Sequence, residues 1–412
     1  MNNHTDIKPK KKAHALYLGV DVPLLLCTAT LLAVGLLFVY SASWEFALQM
    51  NQQPAYFLQR QMLFALVGIS FALIAFFLDY HRIRKFVIPL VIIIIVLLLI
   101  SGLGESRLGA RRSLIQGSIQ PSEMAKLIII IYLTYWLSSK QEYLNSISFG
   151  LLPLMIILGI FCGLILLQPD LSAAITIYLL GGLMFFLGGA DINQIVKVLG
   201  VALAAGLIVV FILPTGRERV SEFLMGLQDP AQGSYHIIRS IEGIVKGGLF
   251  GVGIGKSTVK FTGLPFAPTD SIFAVIVEEK GLVGATVVIL LYVLLLWRGI
   301  TIANRAVDLE GKLLASGIAI WIFLEALINI SVMVNLIPFA GNALPLISSG
   351  GSSLVTVLTG IGLIMGVSRF TNKQKEDLEG RPLNAVVDLR RDDGWRGVSR
   401  SRRPAGAGRQ SP

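Results

Sequence analysis

Residues 247–284 read GGLFGVGIGKSTVKFTGLPFAPTDSIFAVIVEEKGLVG. This glycine-rich segment leads through Pro268 to Asp270 and into a long apolar run, and most of the remaining chain is apolar as well. Polar chemistry is therefore expected where the glycine-rich segment meets the apolar run. The segment contains a pattern similar to GxGxxG, but it opens no βαβ unit after a strand, so a nucleotide-binding fingerprint is excluded. Its backbone amides, together with Lys256 and Lys260, are candidates for holding a phosphate.

The composition indicates an integral membrane protein. Of 412 residues, 54% are hydrophobic and 15% are charged, and the mean hydropathy of +0.73 lies outside the range of soluble domains. The apolar runs are continuous and close to the ~20 residues that cross a bilayer as a helix, so the predicted fold class is all-α. The net charge of +10 is concentrated in tails and short loops, which indicates topology and no nucleic-acid partner. Cys27 and Cys162 lie in apolar runs and offer neither a disulfide framework nor a metal site.

The apolar runs predict a polytopic bundle of ten transmembrane helices. The predicted spans are 22–42, 61–79, 86–103, 121–139, 149–168, 171–189, 195–214, 271–297, 313–337 and 352–369. An even count puts both termini on one side, and the basic residues of the N-terminal tail and of the loops 81–85 and 298–312 make that side cytoplasmic.

Four regions follow from these spans. A basic cytoplasmic tail covers 1–20, the ten-helix membrane domain 21–370, and a disordered cytoplasmic tail 371–412. A large extracytoplasmic loop, 215–270, lies between helices 7 and 8, and within it the stretch SYHIIRSIEGIVKGG (234–248) predicts an amphipathic helix.

Ionisable residues near the outer ends of the spans are candidate site residues. Glu123 and Lys126 are three residues apart on one face of the fourth span, just below the predicted membrane surface, which favours a functional pair. Asp170 follows Gln168-Pro169 in a tight turn, where capping of the next helix is the simpler interpretation. Arg60 lies at the outer end of the second span, where snorkelling is the simpler interpretation.

Other polar residues complete the pattern. Arg107, Arg111 and Arg112 form a positive cluster on the predicted outer side, where an anion site and contact with lipid headgroups are equally good interpretations. Glu278 and Glu279 follow Asp270 in the eighth span. The exceptions to an outer location are Glu325 and Asn329, which the sequence places near the midplane of the ninth span.

These motifs resemble those of the SEDS family (shape, elongation, division and sporulation), the bacterial peptidoglycan glycan-strand polymerases typified by FtsW and RodA. The resemblance spans nearly all of residues 20–370. It is carried by Gly109-Ala110-Arg111-Arg112, Gln120 to Lys126, Gln168 to Leu171, Gly247 to Gly255, Thr269-Asp270, Ile272 to Ile276, Glu278-Glu279, Leu344-Pro345 and Ser348 to Ser353. The run from Gly253 to Lys260, followed by Leu264-Pro265, looks more like the division member FtsW than the elongation member RodA.

The resemblance implies polymerisation of lipid II, in which the 4-hydroxyl of one disaccharide attacks the anomeric carbon of another and expels undecaprenyl pyrophosphate. Asp270 is then the candidate general base. The residues expected to bind substrate are Arg60, Arg111, Arg112, Glu123, Lys126, Gln168, Asp170, Lys256, Lys260 and Glu279. A divalent cation, Mg²⁺ or Mn²⁺, would assist the leaving pyrophosphate.

The resemblance also implies partners and a location. The expected partners are a monofunctional class B penicillin-binding protein, which is a transpeptidase, and other division proteins. The expected location is the bacterial cytoplasmic (inner) membrane at the division septum. Two alternatives stay open, a lipid II flippase and a non-catalytic scaffold for division proteins. The chain departs from the usual family motifs at Ser113, Pro268, Ser271, Leu346 and Ser349, which leaves contacts to the acceptor sugar undetermined.

Overall fold

The computed structural model describes residues 19–103, 120–212, 214–261, 263–265 and 267–379. Helices are the regular elements throughout these ranges, which contain no strand. The α-helices are α1 Val22–Gln49, α2 Tyr56–Phe77, α3 Tyr80–Ile83, α4 Val87–Leu103, α5 Pro121–Ser139, α6 Leu152–Leu166, α7 Leu171–Leu187, α8 Ile192–Ile212, α9 Pro214–Gln228, α10 Tyr235–Gly247, α11 Ile272–Arg305, α12 Leu309–Met333 and α13 Gly351–Glu379.

The predicted class, an all-helical membrane protein, is confirmed. Within the described ranges, seven helical stretches are long and apolar enough to cross a membrane: Val22–Gln49, Tyr56–Phe77, Tyr80–Leu103, Ile147–Leu166, Ile272–Arg305, Leu309–Met333 and Gly351–Gln374. Two shorter apolar helices, Leu171–Leu187 and Ile192–Ile208, accompany them. Many large apolar side chains on these helices are exposed, which in a multi-pass protein is the surface that faces lipid.

Both ends of the described chain lie at one end of the bundle, called the tail end here. In α13, Ser368 and Asn372 donate hydrogen bonds of 3.4 and 3.5 Å to the carbonyl oxygen of Gly19. Arg298, in the last turns of α11, forms an ion pair with Asp21, whose side chain caps α1 by accepting from the amide of Leu24 at 3.0 Å.

The basic loops meet at the same end. His81, in α3, contacts Asp308 at the start of α12 with 2.6 Å between Nε2 and Oδ2. Arg84 contacts Glu310 at 3.3 Å. The loops that the sequence predicts to share one side of the membrane are therefore in direct contact.

Helices α2 and α13 pack directly against each other, and small residues bring the two backbones together. A Cβ atom added to Gly362 would lie 2.3 Å from the carbonyl oxygen of Ala72. A Cβ atom on Gly68 would lie 3.2 Å from the Cα atom of Val355. Close backbone approach through small residues is how membrane helices associate where lipid removes the hydrophobic driving force.

Several predicted boundaries differ from the structure. The chain from 214 to 228 forms α9, where the sequence predicts only loop. Pro214 at the first helical position and the helical spacing of Val220, Phe223, Leu224 and Leu227 were the local signals for this helix. Helix α13 continues to Glu379, so residues 371–379 of the predicted disordered tail are helical. Good helix formers such as Lys373, Gln374 and Lys375 extend a helix that packing has already nucleated.

The predicted amphipathic helix at 234–248 is confirmed as α10. It packs against α11 through buried residues at helical spacing, Ile237, Ser240, Gly243 and Gly247. Glu242 on its outer face forms ion pairs with Arg239 at 2.7 Å and with Lys246 at 2.8 Å.

Helix α11 is broken at Gly281, which has a φ of 68° and a ψ of −170°. Residues 282–305 alone measure about 36 Å at 1.5 Å per residue, enough to cross the ~30 Å hydrocarbon layer. The shorter segment 272–280 before the break is buried except for Lys280. The predicted span 271–297 is therefore two helical segments rather than one.

The break is where the glycine-rich segment docks. The amides of Val252 and Gly253 donate to the carbonyls of Glu278 and Glu279 at 2.9 and 3.0 Å, and the amide of Leu282 donates to the Gly248 carbonyl at 2.9 Å. A Cβ atom on Gly281 would lie 2.3 Å from a backbone oxygen across this contact. The glycines thus let two backbones pair at a helix break, and two of the amides considered for phosphate binding already have partners in the chain.

Candidate active site

A cavity of about 230 Å³ opens at the end of the bundle opposite the tail end, called the cavity end here. Four separate parts of the sequence line it: the start of α5, the start of α7, the residues just before α11, and the start of α13 with the loop that precedes it. The lining side chains that bear on chemistry are Gln120, Glu123, Asp170, Ser172, Thr269, Asp270, Asn342, Ser349, Ser352 and Ser353. Three carboxylates from different helices thus face one space.

Asp270 lies one residue before the N-cap of α11, which is Ser271. Its backbone is held from two directions. Asn329 in α12 donates to the Asp270 carbonyl at 2.8 Å and to the Asn342 carbonyl at 2.6 Å. The hydroxyl of Ser348 donates to the Thr269 carbonyl at 2.5 Å.

The carboxylate of Asp270 lies against the loop before α13. A Cβ atom added to Gly341 would lie 2.8 Å from Asp270 Oδ2. The side chain of Asp270 is partly exposed and lines the cavity. The surroundings therefore fix the backbone of Asp270 and leave its carboxylate at the cavity wall.

Lys126 is the centre of a buried charge cluster. Its side chain is 2% exposed, and its Nζ atom lies 2.7 Å from Glu123 Oε1. The same Nζ atom forms a second ion pair with Glu325 of α12, whose side chain is also 2% exposed. The predicted pair of Glu123 and Lys126 is present, and it belongs to a triad of two carboxylates and one ammonium group.

The triad leaves one oxygen without a partner. Glu123 Oε2 is buried and accepts no hydrogen bond from the described residues, whereas Glu123 Oε1 binds Lys126. Because Glu123 lines the cavity, this oxygen is placed to accept a hydrogen bond from a bound molecule.

Asp170 has the capping role that the sequence predicts. Oδ1 accepts from the amide of Ala173 at 3.2 Å and from the Ser172 hydroxyl at 2.9 Å. Oδ2 accepts from Gln120 at 2.9 Å and from Ser122 at 3.1 Å. The carboxylate joins the starts of α5 and α7 at the cavity wall.

Glu278 and Glu279 lie outside the set of residues that line the cavity. Glu278 is 1% exposed and accepts from Ser257 and from the amide and hydroxyl of Thr258, at 2.8 and 2.9 Å for the latter two. Glu279 is fully buried, lies 2.9 Å from Lys260 Nζ, and accepts from Ser41 at 2.6 and 2.8 Å. Both carboxylates attach the glycine-rich loop to α11, and Glu279 also attaches it to α1.

The remaining candidates are dispersed. Lys256 is exposed on the glycine-rich loop. Arg60, in the first turns of α2, lies over the ring of Phe64 at 6.0 Å. Gln168 is buried and donates to the Leu98 carbonyl at 2.8 Å, so it joins the turn before α7 to α4. Arg107, Arg111 and Arg112 lie outside the described residues.

The sequence places Glu325 and Asn329 near the membrane midplane, and the structure shows that both contact residues of the cavity end. Glu325 contacts Lys126, which lies about 8 Å beyond the first residue of α5 at a rise of 1.5 Å per residue. Asn329 holds the backbone of Asp270 at the cavity wall. Helix α12 ends at Met333, short of the predicted 337, so both residues lie closer to its end than the sequence predicts. Glu325 and Asn329 are one helical turn apart, on a face of α12 that also carries Ala326. This spacing was the available signal that both residues face the same neighbours.

Fold and site together define a multi-pass helical membrane protein with a carboxylate-lined cavity at one end of the bundle. The chain belongs to the cell cycle protein family of FtsW, RodA and SpoVE, whose model matches residues 22–373. This confirms the SEDS membership inferred from the motifs.

Individual relatives agree. The probable peptidoglycan glycosyltransferase FtsW of Trichlorobacter lovleyi is 38% identical over 356 residues, which are 84% of this chain and 93% of that protein. Stage V sporulation protein E of Bacillus subtilis is 38% identical over 85% of this chain and 97% of its own. A solved chain from a peptidoglycan synthase complex that coordinates polymerization and crosslinking superposes with a TM-score of 0.71 at 28% identity, over 86% of this chain and 99% of that one.

Proposed function

We propose that this chain is a peptidoglycan glycosyltransferase that polymerises lipid II into glycan strands at the outer face of the bacterial cytoplasmic membrane during cell division. The observation that carries the proposal is the cavity in which Glu123, Asp170, Asp270 and the loop before α13 meet, although they are far apart in the sequence. The names of the FtsW and sporulation relatives support the activity and the division role.

Asp270 is the general base in this proposal. Its carboxylate accepts the proton of the acceptor 4-hydroxyl while that oxygen bonds to the anomeric carbon of the donor, and the bond to undecaprenyl pyrophosphate breaks with its electron pair on the leaving phosphate. Asn329 and Ser348 donate to the backbone carbonyls of Asp270 and Thr269, so they position the segment that carries the base.

The triad of Glu123, Lys126 and Glu325 binds and orients substrate. Lys126 is shared between two carboxylates, which makes the buried group negative by one charge when all three are ionised. The free Glu123 oxygen then suits a hydroxyl or amide N–H of the sugar rather than a phosphate. Contact with the leaving pyrophosphate is assigned to four basic residues outside the triad, Arg60, Arg111, Arg112 and Lys256.

A divalent cation has no ready ligand set in the described part of the chain. No group of three or more His, Cys, Asp or Glu side chains there is arranged to hold a metal ion. Of the carboxylates at the cavity, Asp170 already accepts four hydrogen bonds and Glu123 is paired with Lys126. No step of the proposed mechanism therefore passes through Mg²⁺ or Mn²⁺.

Ten membrane crossings complete the proposed topology. To the seven long apolar helices it adds α5, α7 and α8, of which α5 is made less apolar by Glu123 and Lys126. The tail end is cytoplasmic, with both termini, and the cavity end is extracytoplasmic, because the basic loops gather at the tail end. The inner membrane and the division septum are the proposed location.

The proposed partner is a class B penicillin-binding protein with a single transmembrane helix, within a larger group of division proteins. Two observations support it: the motif resemblance and the synthase complex that contains the solved relative. The exposed apolar residues of α11 at helical spacing, including Val283, Val287 and Leu290, provide a surface for such a helix.

The flippase alternative loses its main structural basis. A path for a polar headgroup requires polar side chains through the depth of the bundle, and Glu325 and Asn329 were the candidates near the middle. Glu325 is paired with Lys126, and Asn329 holds the backbone of Asp270 at the cavity wall. A scaffold role is compatible with polymerisation and is separated from it by the experiment below.

The decisive experiment is glycan synthesis from purified lipid II by the reconstituted full-length chain, with and without its transpeptidase. Asp270→Asn keeps the side-chain size but removes the base, so strand formation should fall by a factor on the order of 10² to 10⁴. Asp191→Asn, at an exposed aspartate, is the matched control and should retain full activity. Polymerisation by Asp270→Asn within a few-fold of the parent would exclude this carboxylate as the base.

A further inference from the structure

A second cavity, of about 310 Å³, lies at the tail end, at the opposite end of the bundle from the carboxylate-lined site. The first residues of α1, the last turn of α11 and the far part of α13 enclose it. Nothing in the proposed glycosyl transfer uses it.

One side chain in its wall has an unmet hydrogen-bonding requirement. Thr371 is 2% exposed, and its Oγ1 atom is buried without a partner among the described residues. Other threonines in the same helix satisfy themselves: Thr356 and Thr359 each donate to the carbonyl four residues earlier at 2.7 Å. Because an unsatisfied buried hydroxyl is unfavourable, a ligand that accepts from Thr371 would be stabilised here.

The charges around the cavity select an anion. Arg305 lines the cavity with an exposed side chain that forms no ion pair with another described residue. Asp21 is the only carboxylate among the described residues of the wall, and Arg298 donates to it from Nε at 3.2 Å and through a second, shorter bond from Nη2. The N-terminus of the 28-residue helix α1 adds a positive dipole end at Val22.

The protein surface beside the cavity is apolar. Val22, Leu25 and Leu26 of α1 are exposed by 56%, 46% and 62%, and Trp297 of α11 by 61%. The Cζ atom of Arg298 lies 5.7 Å from the centre of the Trp297 ring. Tryptophan and arginine in this arrangement suit a membrane interface. The acyl chains of a lipid whose phosphate binds at Arg305 and Thr371 would therefore lie against this apolar surface.

We propose that this cavity binds the phosphate of an anionic phospholipid, with Arg305 and Thr371 as the ligands of the headgroup and the exposed face of α1 as the seat of an acyl chain. Under the proposed topology the lipid comes from the cytoplasmic leaflet. The N-terminal tail is a poorer occupant, because its lysines at 8 and 10–12 repeat the charge of Arg305. The bound lipid would join α1, α11 and α13, of which α13 contacts Gly19 before α1, and α11 contacts Asp21 through Arg298.

The test measures lipid retention by the purified full-length chain with native mass spectrometry. Phosphatidylglycerol, phosphatidylcholine and inorganic phosphate are added separately. The expected result is selective retention of phosphatidylglycerol, weakened about tenfold or more by Arg305→Gln and by Thr371→Val, because each removes a hydrogen bond to a charged group. Thr371→Ser, which keeps the hydroxyl, should retain binding and shows that Thr371→Val does not act through misfolding.

Arg82→Gln, at an exposed basic residue of the same end, is the charge-matched control and should change nothing. The proposal is overturned if phosphatidylcholine binds equally well, or if Arg82→Gln weakens binding as much as Arg305→Gln. It is also overturned if Thr371→Val and Thr371→Ser behave alike. Displacement of the lipid by millimolar inorganic phosphate would assign the cavity to free phosphate instead.

Discussion

The tertiary structure places Lys126 in an ion pair with Glu325, which the sequence does not predict. A double-mutant cycle tests whether the two side chains interact. The perturbation is Lys126→Met, which keeps the length of the side chain and removes its charge. The variant leaves Glu123 and Glu325 buried near each other without the ammonium group that separates them.

The magnitude follows from the geometry. At the 2.7 Å between Lys126 Nζ and Glu123 Oε1, the attraction is about 6 kcal/mol for an effective dielectric constant of ~20. The desolvation of buried charges offsets much of this attraction in the native protein. Removal of one partner, however, leaves an uncompensated charge, so Lys126→Met should lower the free energy of unfolding by about 3–5 kcal/mol.

Glu325→Gln completes the cycle. The single change removes a charge and keeps an acceptor for Lys126, whose charge is still compensated by Glu123. In the double variant no cation remains for residue 325 to contact. The double variant should therefore be more stable than the sum of the single changes predicts, by about 1–3 kcal/mol.

The assay is reversible unfolding in mixed micelles with increasing dodecyl sulfate, alongside lipid II polymerisation by the same samples. Lys140→Met is the control: Lys140 is exposed and lies at the opposite end of α5. Additivity of the two single changes within about 0.5 kcal/mol would refute a direct interaction between Lys126 and Glu325.

Three further predictions concern the cavity, the helix break and the topology. Gly341→Ala should displace the Asp270 carboxylate, whose Oδ2 would lie 2.8 Å from the new Cβ atom, so lipid II polymerisation should fall while thermal stability changes little; unchanged turnover would show that the carboxylate position does not matter. Gly281→Ala places a Cβ atom 2.3 Å from a backbone oxygen, at a residue with positive φ. The backbone strain alone costs about 1–3 kcal/mol, and the clash adds to it, so the unfolding assay should show a destabilisation of several kcal/mol. Gly159→Ala, which meets nothing within 4 Å, is its control, and equal stability of the two variants would contradict the docked break. A reporter fused after residue 379 should be cytoplasmic and one inserted near Gly233 extracytoplasmic, and the same side for both would rule out ten crossings.

Local signals were sufficient for the helical architecture. Continuous apolar runs must become helices in a bilayer, because only a helix satisfies its own backbone hydrogen bonds within one segment. Pro121 at the first position of α5 and Asp170 before α7 were recognised from short-range rules, and the structure has both where expected. The amphipathic spacing in 234–248 predicted α10 for the same reason.

Boundaries were less well predicted where packing overrides composition. The apolar run from 271 to 297 has no proline, and a helix through it is the natural expectation. Gly281 leaves the helical conformation because the chain from 248 to 253 pairs with the carbonyls and amides around the break. A distant segment makes that conformation favourable, so the local sequence does not reveal it.

The sequence by itself determined the class of protein, the family, and the three carboxylates at the cavity, Glu123, Asp170 and Asp270, because each of these depends on residue type and on short spacings. Only the tertiary structure decided which of those residues meet. Lys126 and Glu325 are 199 positions apart, and Asp270 is held by Asn329 from 59 positions away. Contacts between helices depend on how far each helix is shifted along its axis and rotated about it. Packing of small residues and helix breaks sets both quantities, and the hydrophobic pattern along one helix does not contain them.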